Sequence, residues 1–323
     1  MRALICSRLD GPDSLEVGEL PEPDLPDGAV RVQVEATGAN FPDLLIIRGL
    51  YQEKPSLPFA PGMEVAGTVA EVAPGVEHVA VGDRVYAFVG WGGFAEQVVV
   101  DAHQVFEAPD GMSAETAAAL PIAYGTSYHA LIDRAHLEKG EILLVLGAAG
   151  GVGLAAVQIG TAVGARVVAA VSSDAKEEAV RASGATDVIR YDREDLRGRL
   201  RDLAPEGVDV VYDPVGGDVT ETAFRSLGWE GRHLVIGFAG GDIPSVPANL
   251  ALLKGASLVG VFWGRFASMF PDRNHANFQT LNEWWTSGRI DPTVSEVFEL
   301  DRAVEALRRL ESRQAIGKLI VRP

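Results

Sequence analysis

A strand that runs directly into a glycine-rich turn constrains this chain more than any other feature. Residues 142–146 are continuously apolar, and the next seven residues read Gly-Ala-Ala-Gly-Gly-Val-Gly. Gly147, Gly150 and Gly153 have the spacing of a dinucleotide-binding turn: the first permits a tight turn, the second the approach of a pyrophosphate, and the third close helix packing. A helix-compatible segment, 154–163, and a second apolar run, 165–171, follow. The sequence therefore predicts a strand–helix–strand unit that binds a dinucleotide.

The amides at the start of the predicted helix supply the chemistry for holding a pyrophosphate. They point in the same direction as the positive end of the helix macrodipole, so no basic side chain is needed. A turn whose glycines serve only steric purposes is the alternative, and the strand–helix–strand context favours the dinucleotide. The predicted pyrophosphate ligands are the backbones of Gly147, Ala149, Gly150, Gly151, Val152 and Gly153.

Composition limits the remaining function classes. The 323 residues suffice for two domains, 47% of them are apolar, and no apolar run has the length of a membrane span. Lys and Arg number 28 against 45 Asp and Glu, and a net charge of −17 disfavours nucleic acid as a partner. Cys6 is the only cysteine, which excludes an intrachain disulfide and a cysteine-rich zinc site. The charged N-terminus is a poor secretion signal, so we expect a cytoplasmic protein.

Two patterns of secondary structure divide the chain. Short strand-like pieces separated by Gly and Pro between residues 28 and 120 predict an antiparallel, barrel-like domain. Strictly alternating strands and helices follow and predict an α/β fold with a doubly wound parallel sheet. Its strands are expected at 142–146, 165–171, 187–190, 208–212, 233–238 and 258–263, with helices at 174–183, 194–203, 218–227 and 249–255. Further helices are expected at 113–131, with Ser113 as N-cap, 266–287 and 301–312, before a last strand at 318–321.

Several short motifs, in this order and spacing, resemble the medium-chain dehydrogenase/reductase superfamily, specifically its zinc-free quinone oxidoreductase (zeta-crystallin-like) branch. They lie at residues 38–43, 49–51, 57–62, 81–85, 191–195, 212–216 and 317–318, in addition to the glycine turn. The resemblance implies a GroES-like, mainly antiparallel catalytic domain built from residues 1–121 and 264–323. It also implies a Rossmann coenzyme domain at 122–263, and a homodimer.

Metal ligands expected in the zinc-dependent relatives are missing. Those relatives require a Cys where this chain has Asn40 and a His where it has Met63, which would leave an ion held by little more than Glu64 and water. The six histidines are scattered without paired spacing. The sequence therefore predicts no metal site, and without a Lewis acid the reduction of an activated acceptor is favoured over alcohol oxidation.

The end of the second parallel strand indicates which nicotinamide coenzyme binds. NAD-specific sites place an acid there, whereas this chain has Ser172. In similar quinone reductases Ser172, Ser173, Lys176 and Tyr191 occupy the positions that hold the 2′-phosphate, so NADPH is predicted over NADH. Asp174, two residues from the strand end, opposes this preference unless it simply caps the next helix.

The resemblance also assigns residues to the reaction. Asn40 and Tyr51 are the catalytic candidates, with Tyr51 a possible proton donor, and Thr126 lies with them around the nicotinamide or the acceptor. The backbones of Gly237, Phe238, Ala239 and Phe262 follow the carboxamide of the ring. The predicted activity is NADPH-dependent hydride transfer to a quinone. Reduction of an enone or enoyl thioester is the alternative, and a redox sensor or structural NADPH-binding protein with weak turnover is an alternative of another class.

Overall fold

We describe the fold from a computed structural model that covers residues 1–323. The strands are β1 Arg2–Cys6, β2 Leu15–Glu19, β3 Ala29–Ala39, β4 Glu64–Val72, β5 Arg84–Phe88, β6 Gln97–Asp101, β7 Val105–Glu107, β8 Ile142–Val145, β9 Arg166–Val171, β10 Asp187–Arg190, β11 Val208–Asp213, β12 Leu227–Val235, β13 Ser257–Gly260, β14 Val294–Glu299 and β15 Lys318–Arg322. The α-helices are α1 Phe41–Ile46, α2 Ala114–Ala118, α3 Pro121–Tyr128, α4 Gly151–Val163, α5 Asp174–Ala182, α6 Leu196–Leu203, α7 Asp218–Arg225, α8 Ala248–Lys254, α9 Trp263–Met269, α10 Pro271–Thr286 and α11 Ala303–Glu311. None of the helices combines the length and apolar character that crossing a bilayer requires.

The chain divides into two compact units. The first consists of residues 1–122, 267–282 and 292–323, and the second of residues 123–266 and 283–291. The three-segment domain assignment drawn from the sequence stays a prediction.

The first unit is built on a mainly antiparallel sheet. Its strand order is β14-β15-β3-β4-β5-β7, with β6 also pairing with β3, and β1 and β2 form a separate hairpin. The long strand β3 pairs antiparallel with β4, β6 and β15, so residues near the start and near the end of the sequence share one sheet. Valines that alternate along β3, including Val30, Val32 and Val34, form the buried core against β4, β5 and β6.

The second unit is a six-stranded parallel sheet of order β10-β9-β8-β11-β12-β13. This is the doubly wound arrangement in which the strand order reverses between β8 and β11, where ligands of such folds bind. Buried Leu144, Val168 and Val211 come from its inner strands and Ile189 from the edge strand β10, and Phe224 of α7 packs in the same cluster. The predicted fold class, a Rossmann sheet accompanied by a mainly antiparallel unit, is confirmed.

Three predicted elements have different boundaries in the structure. The helix predicted for 218–227 ends at Arg225, and β12 begins at Leu227. The sequence does not predict this strand start, because the first residues of β12 are rich in glycine and polar side chains. β13 ends at Gly260, and Trp263, expected at a strand end, begins α9. The helix predicted for 266–287 is broken at Pro271, since proline disfavours helical backbone in the residue before it.

The helix predicted for 113–131 also breaks into pieces. Ser113 caps α2 as expected, accepting the N–H of Thr116 at 3.1 Å, but α2 ends at Ala118 and α3 begins at Pro121. Residues His129–Arg134 then continue as a π-helix.

Candidate functional site

The glycine turn of the second unit has the geometry that its sequence predicts. Gly147 has φ +55°, a conformation that side chains disfavour. A Cβ at Gly153 would lie 2.4 Å from the Gly147 carbonyl oxygen, so α4 packs against the turn only because position 153 lacks a side chain. Gly150 is the N-cap of α4 and provides no side-chain cap; a Cβ there would meet nothing closer than the Gly147 oxygen at 3.5 Å. The turn is therefore a backbone cradle that fits a pyrophosphate.

A buried acid organises the loops on the neighbouring strands. Asp213, the last residue of β11, accepts the N–H groups of Val215 and Gly216 at 2.9 Å each. Its second oxygen accepts the Thr220 hydroxyl at 2.6 Å and contacts His233 Nε2 at 3.1 Å. Burial alone would raise the pKa of Asp213, but these hydrogen bonds outweigh burial and lower it.

The loop that Asp213 holds supports the predicted carboxamide-binding segment. The N–H of Ala239 donates to Pro214 at 3.0 Å, and that of Gly240 donates to Val215 at 2.7 Å. A Cβ at Gly147 would contact Val215 Cγ2 at 2.9 Å. The structure therefore brings the cradle together with Gly237, Phe238 and Ala239, which are half-buried.

Thr126 and Phe262 lie in the same unit. Thr126 is half-buried on α3, and its neighbour Ser127 donates to the Val152 carbonyl at 3.0 Å and contacts the Tyr212 hydroxyl at 2.8 Å. The first contact ties α3 to the first turn of α4, and the second ties it to β11. Phe262 is 53% exposed in the connection between β13 and α9.

The predicted 2′-phosphate residues cluster at the end of β9. Ser173 is the N-cap of α5, accepting the N–H of Lys176 at 3.3 Å, and Lys176 Nζ lies 3.4 Å from Ser172 Oγ. Burial lowers the pKa of Lys176. Tyr191 directly follows β10, and its N–H donates to the carbonyl of Val171 at 3.2 Å, so its backbone lies beside the end of β9, next to Ser172. The structure brings together all four predicted residues at one edge of the sheet.

Asp174 does not cap α5, because Ser173 does. Instead its carboxylate accepts hydrogen bonds from Arg190, at 2.5 Å, and from Arg193. Hydrogen bonds from these two guanidinium groups lower the pKa of Asp174. The sequence did not lead us to assign either arginine to the site, although Arg193 lies within the 191–195 motif and Arg190 directly precedes it.

Asn40, in the first unit, belongs to a buried polar network. Its side-chain amide donates to Glu64 Oε1 at 2.8 Å and to the Gly38 carbonyl at 3.1 Å. Its oxygen accepts from Lys318 Nζ at 2.7 Å, and the same ammonium group lies 2.5 Å from Glu64 Oε1. Both donors and the acceptor of the Asn40 side chain are therefore engaged by the protein.

Glu64 is fully buried and satisfied by three elements. Besides Asn40 and Lys318 it accepts the N–H of Ile122 at 2.6 Å, at the start of α3. A Cβ at position 38 would lie 2.2 Å from its oxygen, which explains Gly38. No group of three His, Cys, Asp or Glu side chains forms a metal-binding arrangement.

Asp43 supports the Asn40 turn from the first turn of α1. Its two oxygens accept the N–H groups of Asn40 at 2.8 Å and Gly62 at 3.0 Å. Burial raises its pKa to about 7. Tyr51 is half-buried, its hydroxyl makes no hydrogen bond, and burial, followed by the charge of Glu53, raises its pKa.

Sequence reasoning missed the roles of Asp43, Glu64, Asp213, His233 and Lys318. Asp43, Asp213 and Lys318 lie in motifs that carry the family resemblance, so their positions were visible but their partners were not. The Glu64 and Lys318 pair joins residues 254 positions apart, which no local spacing reveals.

Comparisons with known proteins agree with this fold. Residues 26–110 match the family described as Alcohol dehydrogenase GroES-like domain, and residues 151–280 match the family described as Zinc-binding dehydrogenase. Quinone oxidoreductase-like protein 2 from Bos taurus is 41% identical over 323 residues, covering 99% of this chain and 92% of that relative.

Two solved structures extend the comparison. Quinone oxidoreductase from Escherichia coli, crystallised with NADPH, has a TM-score of 0.92 and 30% identity, with both chains fully covered. The quinone oxidoreductase from Thermus thermophilus, also studied as a complex with NADPH, has a TM-score of 0.84 and 33% identity, again with full coverage. The chain therefore belongs to the medium-chain dehydrogenase/reductase superfamily. Within it, the relatives assign the chain to the quinone oxidoreductase branch.

Proposed function

We propose that this protein is an NADPH-dependent oxidoreductase that transfers hydride to a quinone without using zinc. The observation that carries the proposal is the backbone cradle at Gly147–Gly153, combined with the end of β9. There Ser172 stands where NAD-specific sites have an acid, and Lys176 Nζ lies 3.4 Å from its hydroxyl. The complexes of the E. coli and Thermus relatives with NADPH support it.

The residues of the second unit are proposed to bind and orient the coenzyme. The amides at the start of α4 hold the pyrophosphate, and Ser172, Ser173, Lys176 and Tyr191 hold the 2′-phosphate. The 237–239 segment, supported by Asp213 through the 214–216 loop, follows the carboxamide. Bound NADPH supplies the hydride, so the protein needs to position the acceptor and exclude water rather than provide a strong catalytic acid.

The first unit contributes Tyr51 and Asn40 in this proposal. Tyr51 is the candidate proton donor, because its hydroxyl is uncommitted and a phenol carries its proton at neutral pH. Asn40 has no uncommitted polar atom, so its proposed role is to hold Lys318 and Glu64 in place, not to transfer a proton. Replacing Tyr51 by Phe tests proton donation: turnover should fall about 100-fold, and unchanged turnover across pH would remove Tyr51 from the mechanism.

The proposed zinc independence rests on the bonds that Glu64 already makes. Among Asn40, Met63 and Glu64, only Glu64 is an acid. Its carboxylate is bound by the Lys318 ammonium, the Asn40 amide and the Ile122 N–H. A divalent ion would have to displace Lys318 and then find only neutral Asn40 and Met63 beside it. Metal analysis of the purified protein should find less than stoichiometric zinc, and full zinc occupancy with zinc-dependent turnover would contradict this part of the proposal.

The test of the activity is steady-state oxidation of NADPH with a panel of quinones and enones, accompanied by calorimetry of NADPH and NADH binding. Turnover with quinones supports the proposed reaction, and turnover restricted to enones or enoyl thioesters favours that alternative. Tight binding with no turnover on any acceptor would favour a redox sensor or structural protein. No affinity for either coenzyme would refute the proposal.

A homodimer is proposed from the free edge of the parallel sheet. β13 is the terminal strand, and Leu258 on it is 55% exposed. Trp229, Leu252 and Leu253 are between 71% and 81% exposed. Trp229 lies on β12, which pairs with β13, and the two leucines lie on α8, which packs against β12. An exposed apolar sheet edge is a site for isologous pairing with a second copy. Leu258→Glu should shift the sedimentation mass from dimer to monomer, whereas Val81→Glu, at an exposed apolar residue of the first unit, should not. The cytoplasmic location stays a prediction of the sequence.

A further inference from the structure

Asp174 is placed where it opposes the binding of a phosphate. It is the first residue of α5, immediately after Ser172 and Ser173, and its side chain is 87% exposed. A negative charge at this position repels a coenzyme phosphate. The Asp174 carboxylate is bound instead to two arginines, Arg190 at the end of the neighbouring strand and Arg193 just beyond it.

Those arginines form a second layer of positive charge at the predicted 2′-phosphate site. Arg190 ends β10 and pairs in register with Val171, the residue before Ser172. It is only 7% exposed and binds Asp192 through two bonds of 2.9 Å, so its remaining nitrogen serves Asp174 at 2.5 Å and Glu177 at 3.4 Å. Arg193 is 55% exposed, and apart from Asp174 its nearest carboxylate is Asp192 at 3.9 Å.

Both arginines of this edge are paired with carboxylates of the protein itself. Asp174 binds Arg190 and Arg193, Asp192 binds Arg190, and Glu177 lies 3.4 Å from Arg190. Glu177 also forms an ion pair with Arg181 at 2.9 Å, and Asp192 binds two nitrogens of the Arg190 guanidinium group. Of the two carboxylates bound only to these arginines, Asp174 is the more exposed, at 87% against 36% for Asp192.

We infer that Asp174 is an internal counterion that competes with the 2′-phosphate of the coenzyme for Arg190 and Arg193. The inference rests on the proposed NADPH site and adds a specificity determinant to it. In the absence of coenzyme Asp174 keeps the arginines ordered, and with coenzyme bound it moderates the preference for NADPH over NADH. A direct role for Asp174 in binding the adenosine ribose fits the structure less well, because the acid of NAD-specific sites stands at the strand end, which is Ser172 here.

The experiment compares Asp174→Asn with Asp187→Asn by calorimetry. Asp187 pairs with Arg166 at 2.8 Å at the opposite end of β10, so its replacement removes the same charge far from the phosphate position. The probes are adenosine 2′,5′-bisphosphate, which carries the 2′-phosphate, and adenosine 5′-monophosphate, which lacks it; NADPH and NADH repeat the comparison. Asp174→Asn should tighten binding of the two 2′-phosphate ligands by about three- to tenfold, the size expected for one nearby screened charge. The other two ligands should bind as before, and Asp187→Asn should change nothing.

A second variant tests whether the tighter binding of 2′-phosphate ligands depends on the arginines. Arg193→Ala in the Asp174→Asn background should abolish most of the tightening, while thermal unfolding verifies that each variant is folded. The counterion role would be overturned if Asp174→Asn left unchanged the ratio of affinities for ligands with and without the 2′-phosphate. It would also be overturned by a selective loss of NADH and adenosine monophosphate binding, which would assign Asp174 to the ribose. A wild-type chain that binds neither coenzyme would refute the proposed function as well, whereas tight NADPH binding with an unchanged ratio would refute only the role of Asp174.

Discussion

Replacing Lys318 by Met should destabilise the first unit strongly. Lys318 is 4% exposed and Glu64 is fully buried, so the substitution leaves a buried carboxylate without its countercharge. The ammonium bonds to Glu64 at 2.5 Å, Asn40 at 2.7 Å and Ala39 at 3.3 Å are all lost. Breaking a buried ion pair by removing one partner costs about 3–5 kcal/mol, which corresponds to a fall of roughly 6–20 °C in the unfolding temperature of a unit this size.

The next ion pair along the same strand is a matched control. Arg322, four residues later on β15, pairs with Glu115, but its side chain is 49% exposed. Arg322→Met should therefore cost about 0–1 kcal/mol, as exposed pairs do. Scanning calorimetry of both variants at neutral pH gives the comparison, with circular dichroism to verify that the folds remain intact.

The double variant Lys318→Met with Glu64→Gln separates charge from packing. Neutralising Glu64 removes the uncompensated buried charge, so the double variant should recover a large part of the stability lost in Lys318→Met. A cost for Lys318→Met no greater than that of Arg322→Met, or a double variant less stable than the single one, would refute the electrostatic explanation.

Three further predictions concern the coenzyme cradle, the coenzyme preference and pH. Gly153→Ala should abolish coenzyme binding in calorimetry, because its Cβ would lie 2.4 Å from the Gly147 oxygen, whereas Gly260→Ala, with nothing within 4 Å, should bind normally. Lys176→Ala should raise the Michaelis constant for NADPH at least about tenfold more than that for NADH, and equal effects would contradict the 2′-phosphate assignment. Burial raises the pKa of Asp43 to about 7, above its ordinary 3.8, so the unfolded chain releases this proton first and the free energy of unfolding should fall as pH rises from 3.8 to about 7. Urea titrations should show this slope in the wild type and its loss in Asp43→Asn, even at lower overall stability.

Local patterns predicted the parts of the structure that depend on neighbouring residues. The apolar strand before Gly147 and the alternation that follows it define the parallel sheet, because parallel strands buried on both faces are continuously apolar. The Ser113 cap of α2 is a contact over three residues and was predicted correctly. The roles proposed for the candidate site residues stay predictions that the experiments above address.

Features set by distant contacts were not predictable from the sequence. β12 begins at Leu227 because it pairs with β11 and β13, whereas its own residues, such as Gly228 and Glu230, are poor strand formers. The π-helix at 129–134 leaves no local signal in the sequence. The bonds of Asn40 to Lys318 depend on β15 pairing with β3, so a catalytic candidate in the sequence became part of a buried ion network in the fold.

The pairing of β15 with β3 has a consequence for the order in which the protein is made. Residues 123–266 form most of the second unit without interruption, so that unit can acquire its sheet while the ribosome is still adding residues. The first unit has to wait, because Leu319, Ile320 and Val321 are the neighbours of Ala39, Gly38 and Thr37. Until those residues emerge, Glu64 has no ammonium partner, and the nascent chain exposes an unfinished antiparallel sheet that chaperones would recognise.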